Sequence, residues 1–216
     1  MSTIYARQSR TKGGSGAGAR WLAACGVIGP VLFVIAFTVA GLVRPGYSPV
    51  HQAVSDLGVG SNPWLLNAPL VGLGLLLAAF VVGFFQIPGG QLGRWRWACA
   101  VLLLLPGFGF AWAGIFTEAP ATVSLHWMVG MPALAAGSIF GFLVTGLRLR
   151  VVPGWRPWAI YSMAAAAITA VIIAVMFGTW SAGVGGIIER VLFVEVLAWY
   201  AAFGGRLFLL GEQQTR

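Results

Sequence analysis

The sequence predicts an all-α, multi-pass membrane protein, folded as a transmembrane bundle of six helices. Of its 216 residues, 59% are hydrophobic and only 8% are charged, whereas charged residues make up about 25% of an ordinary soluble domain. The mean hydropathy is +0.88. The apolar residues also fall into six long runs, each close to the ~20 residues that a helix needs to cross a bilayer. These observations exclude a disordered chain and a soluble enzyme.

The six runs divide the chain into a membrane domain and two tails. Residues 1–20 carry four basic side chains and no acid, a composition typical of a disordered cytoplasmic tail. The first run is longer than the hydrophobic region of a cleaved signal peptide, so we expect a retained helix. We assign 21–210 to the transmembrane domain and 211–216 to a cytoplasmic C-terminal tail. The predicted spans are 21–43, 65–87, 95–116, 125–147, 155–177 and 187–210.

Basic residues predict how the bundle is oriented. Eleven of the thirteen Lys and Arg side chains fall on the side of the two termini, whereas the other side has Arg44 and, just inside the sixth span, Arg190. Because short cytoplasmic loops are rich in Lys and Arg, we expect both termini in the cytoplasm and the protein in the inner (plasma) membrane. The same bias accounts for the net charge of +8, so we predict membrane lipids, and no nucleic acid, as partners.

The other polar residues gather at the opposite, extracytoplasmic end. Both histidines and four of the five acids fall there, on segments that are distant in sequence. Convergent polar groups from several segments are typical of a binding or active site, although a hydrogen-bonded cap has the same composition. The candidate catalytic residues are His51, Ser55, Asp56, Glu118 and His126. The candidate binding residues are Asp56, His126, Glu189, Arg190 and Glu195.

The loop after the first span is the longest and supplies three of these candidates. Pro and Gly residues punctuate both of its ends. Between them, residues 49–57 are expected to form a short amphipathic helix with His51 and Ser55 on one face. Ser55 or Asp56 then either acts with a histidine or closes the loop through backbone hydrogen bonds.

Glu118 and His126 lie close together across the turn before the fourth span. A carboxylate that pairs with an imidazole tunes the histidine as a base or a ligand. The alternative is a histidine that is simply solvated at the membrane interface.

The sixth span contains three ionisable residues. Glu189 and Arg190 are adjacent, so their side chains diverge by about 100° around the helix axis and each needs a partner on another segment. Structural ties from Glu189 to Arg44, or from Arg190 to Asp56, are as plausible as a function. Glu195 is expected about 9 Å deeper in the membrane, where an acid is costly unless it is paired, protonated or hydrated.

Other motifs that carry chemistry are missing from the sequence. It contains no P-loop, no Gly-x-Ser-x-Gly and no His-Glu-x-x-His. The spacing of its histidines and acids matches no zinc signature. We therefore predict neither a metal nor a cofactor.

Three segments together resemble the bacterial and archaeal membrane family known as domain of unknown function 998. They are Ser55-Asp56-Leu57-Gly58, Gly114-Ile115-Phe116 followed by an acid and His126, and Gly186-Ile187-Ile188-Glu189-Arg190. The resemblance covers residues 22–210. It implies a six-helix membrane bundle and no particular activity.

Three functions fit this sequence. The first is a non-catalytic membrane protein whose extracytoplasmic polar cluster binds a lipid head group, a small solute or a partner. The second is an outer-leaflet lipid hydrolase or transferase, in which His126 or His51 is the general base and an acid orients it. The third is a small proton-coupled transporter with Glu195 as the proton carrier. We favour the first of these, and the sequence does not define an oligomeric state.

Overall fold

The computed structural model of the protein describes residues 13–86 and 89–215, and over these residues it is helical, without a β-strand. Six helices are long and apolar enough to cross a membrane, which confirms the predicted fold class. They are α1 (Gly13–Val43), α2 (Trp64–Gln86), α3 (Arg96–Ile115), α4 (Val123–Leu149), α5 (Arg156–Gly178) and α6 (Gly185–Thr215).

Two of the helices extend beyond the predicted domain 21–210. α1 begins at Gly13, inside the segment predicted as a tail, whose residues 1–12 lie outside the described ones. α6 continues to Thr215. Adding one residue to an existing helix is cheap because the costly first turn is already formed, so an apolar span can extend into a flanking polar segment.

The six helices form a closed ring in the order of the sequence. Each helix packs against the next one, and α6 lies between α5 and α1. The core of the ring is aromatic: Trp199 of α6 stacks on Phe142 of α4 and on Phe203, with ring centroids 4.3 Å and 4.2 Å apart. Many large apolar side chains point outwards instead, as expected for helices that face lipid.

α4 is the least regular of the six helices. It contains two π-helical segments, His126–Gly130 and Gly137–Gly141. Pro132 follows the first one and has no N–H to give to the preceding turn, which favours a widened turn there. Three residues of the first π-helical segment, His126, Trp127 and Gly130, line a cavity described below.

The second π-helical segment packs closely against α3. A Cβ atom on Gly137 would lie 2.2 Å from Cδ of Pro106, and one on Gly141 would lie 3.2 Å from the backbone carbon of Leu102. These two glycines therefore let α3 and α4 approach within the bundle.

Candidate functional site

The site lies where α1, α3 and α5 end and is covered by loop 1 (residues 44–63). The predicted helix over 49–57 is wrong: these residues form turns that lead into a 3-10 turn at Ser55–Gly58. Side chains of the loop accept hydrogen bonds from its backbone N–H groups. The Asp56 carboxylate accepts the N–H of Ala53 at 2.8 Å, and the Gln52 side chain accepts the N–H of Ser48 at 2.8 Å. Short polar side chains often compete with helix formation in this way.

Arg44, at the start of loop 1, is hydrogen-bonded to backbone carbonyls near the end of the loop. Its Nη1 donates to the backbone carbonyls of Asp56 at 2.5 Å and of Val59 at 2.9 Å. The predicted tie between Arg44 and Glu189 is therefore wrong. A loop outside regular structure turns carbonyls inward that need donors, and a guanidinium supplies five N–H groups.

Arg190 joins loop 1 to α6. Its Nη1 donates to the carbonyls of Pro49 at 2.8 Å and of Gln52 at 3.1 Å, and its Nη2 donates to the Tyr47 hydroxyl at 2.5 Å. The predicted tie between Arg190 and Asp56 is therefore wrong, because the guanidinium binds these oxygens and not the Asp56 carboxylate. Both arginines thus donate hydrogen bonds to backbone carbonyls of loop 1, and Arg190 also donates to the Tyr47 hydroxyl.

Glu189 diverges from Arg190 around the axis of α6 and is buried in the bundle. Its side chain accepts a hydrogen bond from the backbone N–H of Val54, and the residue is only 9% exposed. A second contact joins loop 1 to the segment just before α6, where Nδ1 of His51 lies 2.6 Å from the carbonyl oxygen of Gly183. Because a carbonyl can only accept, Nδ1 of His51 carries the proton.

Ser55, Glu118 and His126 form a connected polar chain between loop 1 and the turn before α4. The Ser55 hydroxyl donates to Oε1 of Glu118 at 2.9 Å, and Nε2 of His126 lies 3.6 Å from the same oxygen. Nδ1 of His126 donates to the carbonyl of Phe116 at 2.9 Å, which fixes the orientation of the ring. The structure therefore brings these three predicted residues together, with the carboxylate in the middle.

Glu118 is also close to a second carboxyl group. Burial raises the pKa of Glu118 above its ordinary value, and the neighbouring Asp56 raises it further. The hydrogen bond from Ser55 and the charge of His126 lower that pKa, but less than burial raises it. Two adjacent carboxyl groups resist double ionisation, so the nearby Asp56 is a second cause of the raised pKa of Glu118.

Two adjoining cavities lie beneath loop 1. The first, of about 50 Å³, has mostly apolar walls from α2 to α6, with Ser55, His126 and Glu189 among the few polar lining residues. The second, of about 250 Å³, is lined by polar groups that include His51, Asp56, Glu118 and Glu189. Trp127, Met176 and Glu189 line both cavities.

Glu195 is separate from this cluster. Its Oε2 accepts the hydroxyl of Thr169 on α5 at 2.6 Å, and neither of the two cavities is lined by it. This hydrogen bond gives the intramembrane acid one partner. Proton transport through Glu195 stays a prediction.

Four residues that contact the cluster, the cavities or Glu195 were not predicted from the sequence: Tyr47, Trp127, Met176 and Thr169. A tyrosine or methionine in a chain this apolar carries no positional signal, because each is also an ordinary packing residue. Only Thr169 could have been predicted, because a buried acid on α6 requires a hydrogen-bond donor on a neighbouring helix. Among the residues that the structure describes, no three His, Cys, Asp or Glu side chains are grouped so as to hold a metal ion.

Comparisons with known proteins give one match. Neither the curated proteins nor the solved structures include a match to this chain. A family model with the description "Protein of unknown function (DUF998)" matches residues 27–206. That match includes all six candidate membrane spans, in whole or in large part. The chain therefore belongs to the DUF998 family and is a multi-pass membrane protein.

Proposed function

We propose that the protein binds an amphiphilic molecule at the extracytoplasmic end of the bundle. The observation that carries this proposal is the junction of a small apolar cavity with a larger polar one, which share Trp127, Met176 and Glu189. An apolar group fits the first cavity because its walls offer few polar partners. A polar head group fits the second cavity, where carboxyl and imidazole groups line the space.

The lining of the polar cavity favours a head group with N–H or O–H donors. Asp56, Glu118 and Glu189 supply carboxyl oxygens, which accept hydrogen bonds when ionised. The two nearby cations, Arg44 and Arg190, already donate hydrogen bonds to oxygens of loop 1. They therefore contribute little binding energy to a phosphate in this cavity. An ammonium or hydroxyl group matches this environment best.

The basic residues of the sequence support the proposed orientation. Their bias predicts that both termini lie in the cytoplasm, and with that orientation the cavities face the extracytoplasmic side of the inner (plasma) membrane. A lipid or lipid-like ligand of the outer leaflet can then enter from the membrane plane.

Ligand binding can be tested on purified, lipid-stripped protein by thermal unfolding. Lysophosphatidylethanolamine and lysophosphatidylcholine share a tail and a phosphate but differ in the N–H donors of the head group. A ligand that binds only the folded state raises the melting temperature, so we expect a larger rise with the ethanolamine form. Ala113→Leu, which narrows the apolar cavity, should remove that rise, whereas Ala170→Leu on α5 should keep it. Equal rises with both lipids, unchanged in Ala113→Leu, would overturn the proposal.

The Ser55–Glu118–His126 chain favours a second candidate function, hydrolysis or transfer of an acyl ester. Ser55 Oγ would attack the ester carbonyl while its proton passes to the Glu118 carboxylate, 2.9 Å away. The departing alcohol would take that proton, and water or an acceptor alcohol would then release the acyl group from Ser55. Burial that raises the pKa of Glu118 also makes it a better base when it is ionised.

A fluorophosphonate probe tests this second function without knowledge of the substrate. We expect a covalent adduct on Ser55, found by peptide mass spectrometry, and none in Glu118→Gln. Ser124, which lies nearby and outside both cavities, serves as the internal control. An unmodified Ser55 in folded protein would exclude it as a nucleophile and leave the binding function untouched.

A further inference from the structure

The opposite end of the bundle carries a set of arginines that stack on aromatic rings. This arginine end is where α2 and α4 end and where α3 and α5 begin. The distances from Cζ to the ring centroid are 4.6 Å for Arg20 over Phe208, 4.6 Å for Arg96 over Trp97, 3.8 Å for Arg148 over Trp95 and 6.0 Å for Arg206 over Trp158. A guanidinium held by its face keeps its in-plane N–H groups available for an anion.

The described side chains provide no carboxylate for these arginines. Asp56 and Glu118 lie at the loop 1 end, and Glu189 and Glu195 lie in the half of α6 nearest to it. The side chain of Glu212 is not among those described. The Nε atoms of Arg20, Arg148 and Arg206 are buried without a hydrogen-bond partner. No described carboxylate therefore neutralises the positive charge at this end, and an external anion can do so.

One of these arginines stands at the mouth of an apolar groove between α2 and α3. The groove has a volume of about 380 Å³, and its lining includes Val82, Phe85, Arg96, Trp97, Ala100 and Leu104. Trp97 is 67% exposed, and Val82 is 51% exposed. On α3, Arg96 lies at one end and Leu104 lies eight residues along, about 12 Å away at 1.5 Å per residue. The groove is therefore long, apolar and cationic at one end.

We propose that this groove binds one acyl chain of an anionic phospholipid and that Arg96 holds its phosphate. The groove runs along two membrane-spanning helices, so its apolar length faces the hydrocarbon layer. Arg96 and Trp97 lie at the depth of the head groups, where stacked arginine and tryptophan side chains are favourable. Basic pockets between transmembrane helices recognise anionic head groups in the same way.

Native mass spectrometry of the detergent-solubilised protein tests the site. Phosphatidylglycerol is titrated against phosphatidylcholine with the same chains, and the affinity of the first bound lipid is measured. We expect phosphatidylglycerol to bind more tightly, and Arg96→Gln to weaken it about five- to tenfold. Arg150→Gln, at the same end and outside the groove, should change that affinity by less than about twofold. Ala100→Phe, which fills the groove without a change in charge, should weaken both lipids.

Three results would overturn the proposal. Equal losses in Arg96→Gln and Arg150→Gln would indicate a diffuse basic surface. Unchanged binding in Ala100→Phe, with the melting temperature preserved, would exclude an acyl chain in the groove. If glycerol 1-phosphate competed as well as the intact lipid, the site would be one for a free phosphate ester. Because Arg96 is far from loop 1, none of these outcomes bears on the function proposed there.

Discussion

Arg190 of α6 donates a hydrogen bond to the hydroxyl oxygen of Tyr47 in loop 1 across 2.5 Å. The same guanidinium also binds the carbonyls of Pro49 and Gln52, so a single cation fixes the loop to the helix. Immediately before it, Glu189 accepts the N–H of Val54. The adjacent pair thus holds loop 1 through a donor and an acceptor, and this arrangement covers the two cavities.

Removal of the Arg190 guanidinium should loosen loop 1 and destabilise the protein. Arg190→Met keeps much of the volume of the side chain but removes the donor of the Pro49 and Gln52 carbonyls, and a hydrogen bond to a charged group contributes about 1.5–3 kcal/mol. We expect a loss of a few kcal/mol, measured as a lower melting temperature in detergent. The exposed Arg150→Met variant is the control. A melting temperature equal to that of the control would mean that water replaces the guanidinium without cost.

Loop 1 packs closely against α6 at Gly186. A Cβ atom on Gly186 would lie 2.2 Å from the carbonyl oxygen of Gln52 and 2.8 Å from that of Pro49, and backbone atoms cannot move away cheaply. At Gly185 a Cβ would meet nothing within 4 Å, so Gly185→Ala is a matched control. We expect Gly186→Ala to lower the melting temperature and speed hydrogen exchange in loop 1. Identical behaviour of the two variants would contradict this packing.

The fold was predictable from the sequence because membrane spans are set by length and hydropathy alone. Runs of apolar residues fix the positions of the helices, and they can be identified without any knowledge of the contacts between helices. The same rule cannot predict the 3-10 turn at Ser55–Gly58, because Asp56 decides that geometry by accepting the N–H of Ala53. Side-chain competition of this kind is local and depends on a few atoms.

The partners of the charged groups were less predictable than their positions. Charge complementarity suggested pairs of arginine and acid, yet Arg44 and Arg190 bind oxygens of the loop backbone. The carbonyls of a loop packed against a bundle need hydrogen-bond donors. The sequence does not show which carbonyls these are or which side chains donate to them. Glu118 and His126 were predictable as a pair because only a short turn separates them.

The orientation of the bundle can be tested by labelling with a membrane-impermeant maleimide. Cys25 and Cys99 are first replaced by Ala, and a single cysteine is then introduced. We expect Val50→Cys in loop 1, a residue that is 42% exposed, to react in intact cells. Arg150→Cys should react only after the cells are permeabilised, since the positive-inside bias predicts that this residue lies in the cytoplasm. The reverse pattern would place the cavities on the cytoplasmic side.

The carboxyl group of Glu118 should make stability depend on pH in a defined direction. Burial raises its pKa in the folded protein above the ordinary value of 4.5, so between these two values the folded state keeps a proton that the unfolded state has lost. Protonation therefore favours folding at low pH, and this contribution is lost as the pH rises through the raised pKa. Relative to Glu118→Gln, which is neutral at every pH, the wild-type protein should lose melting temperature as the pH rises above 4.5. If the wild type instead gained stability over this range, attraction between the ionised carboxylate and His126 would outweigh burial.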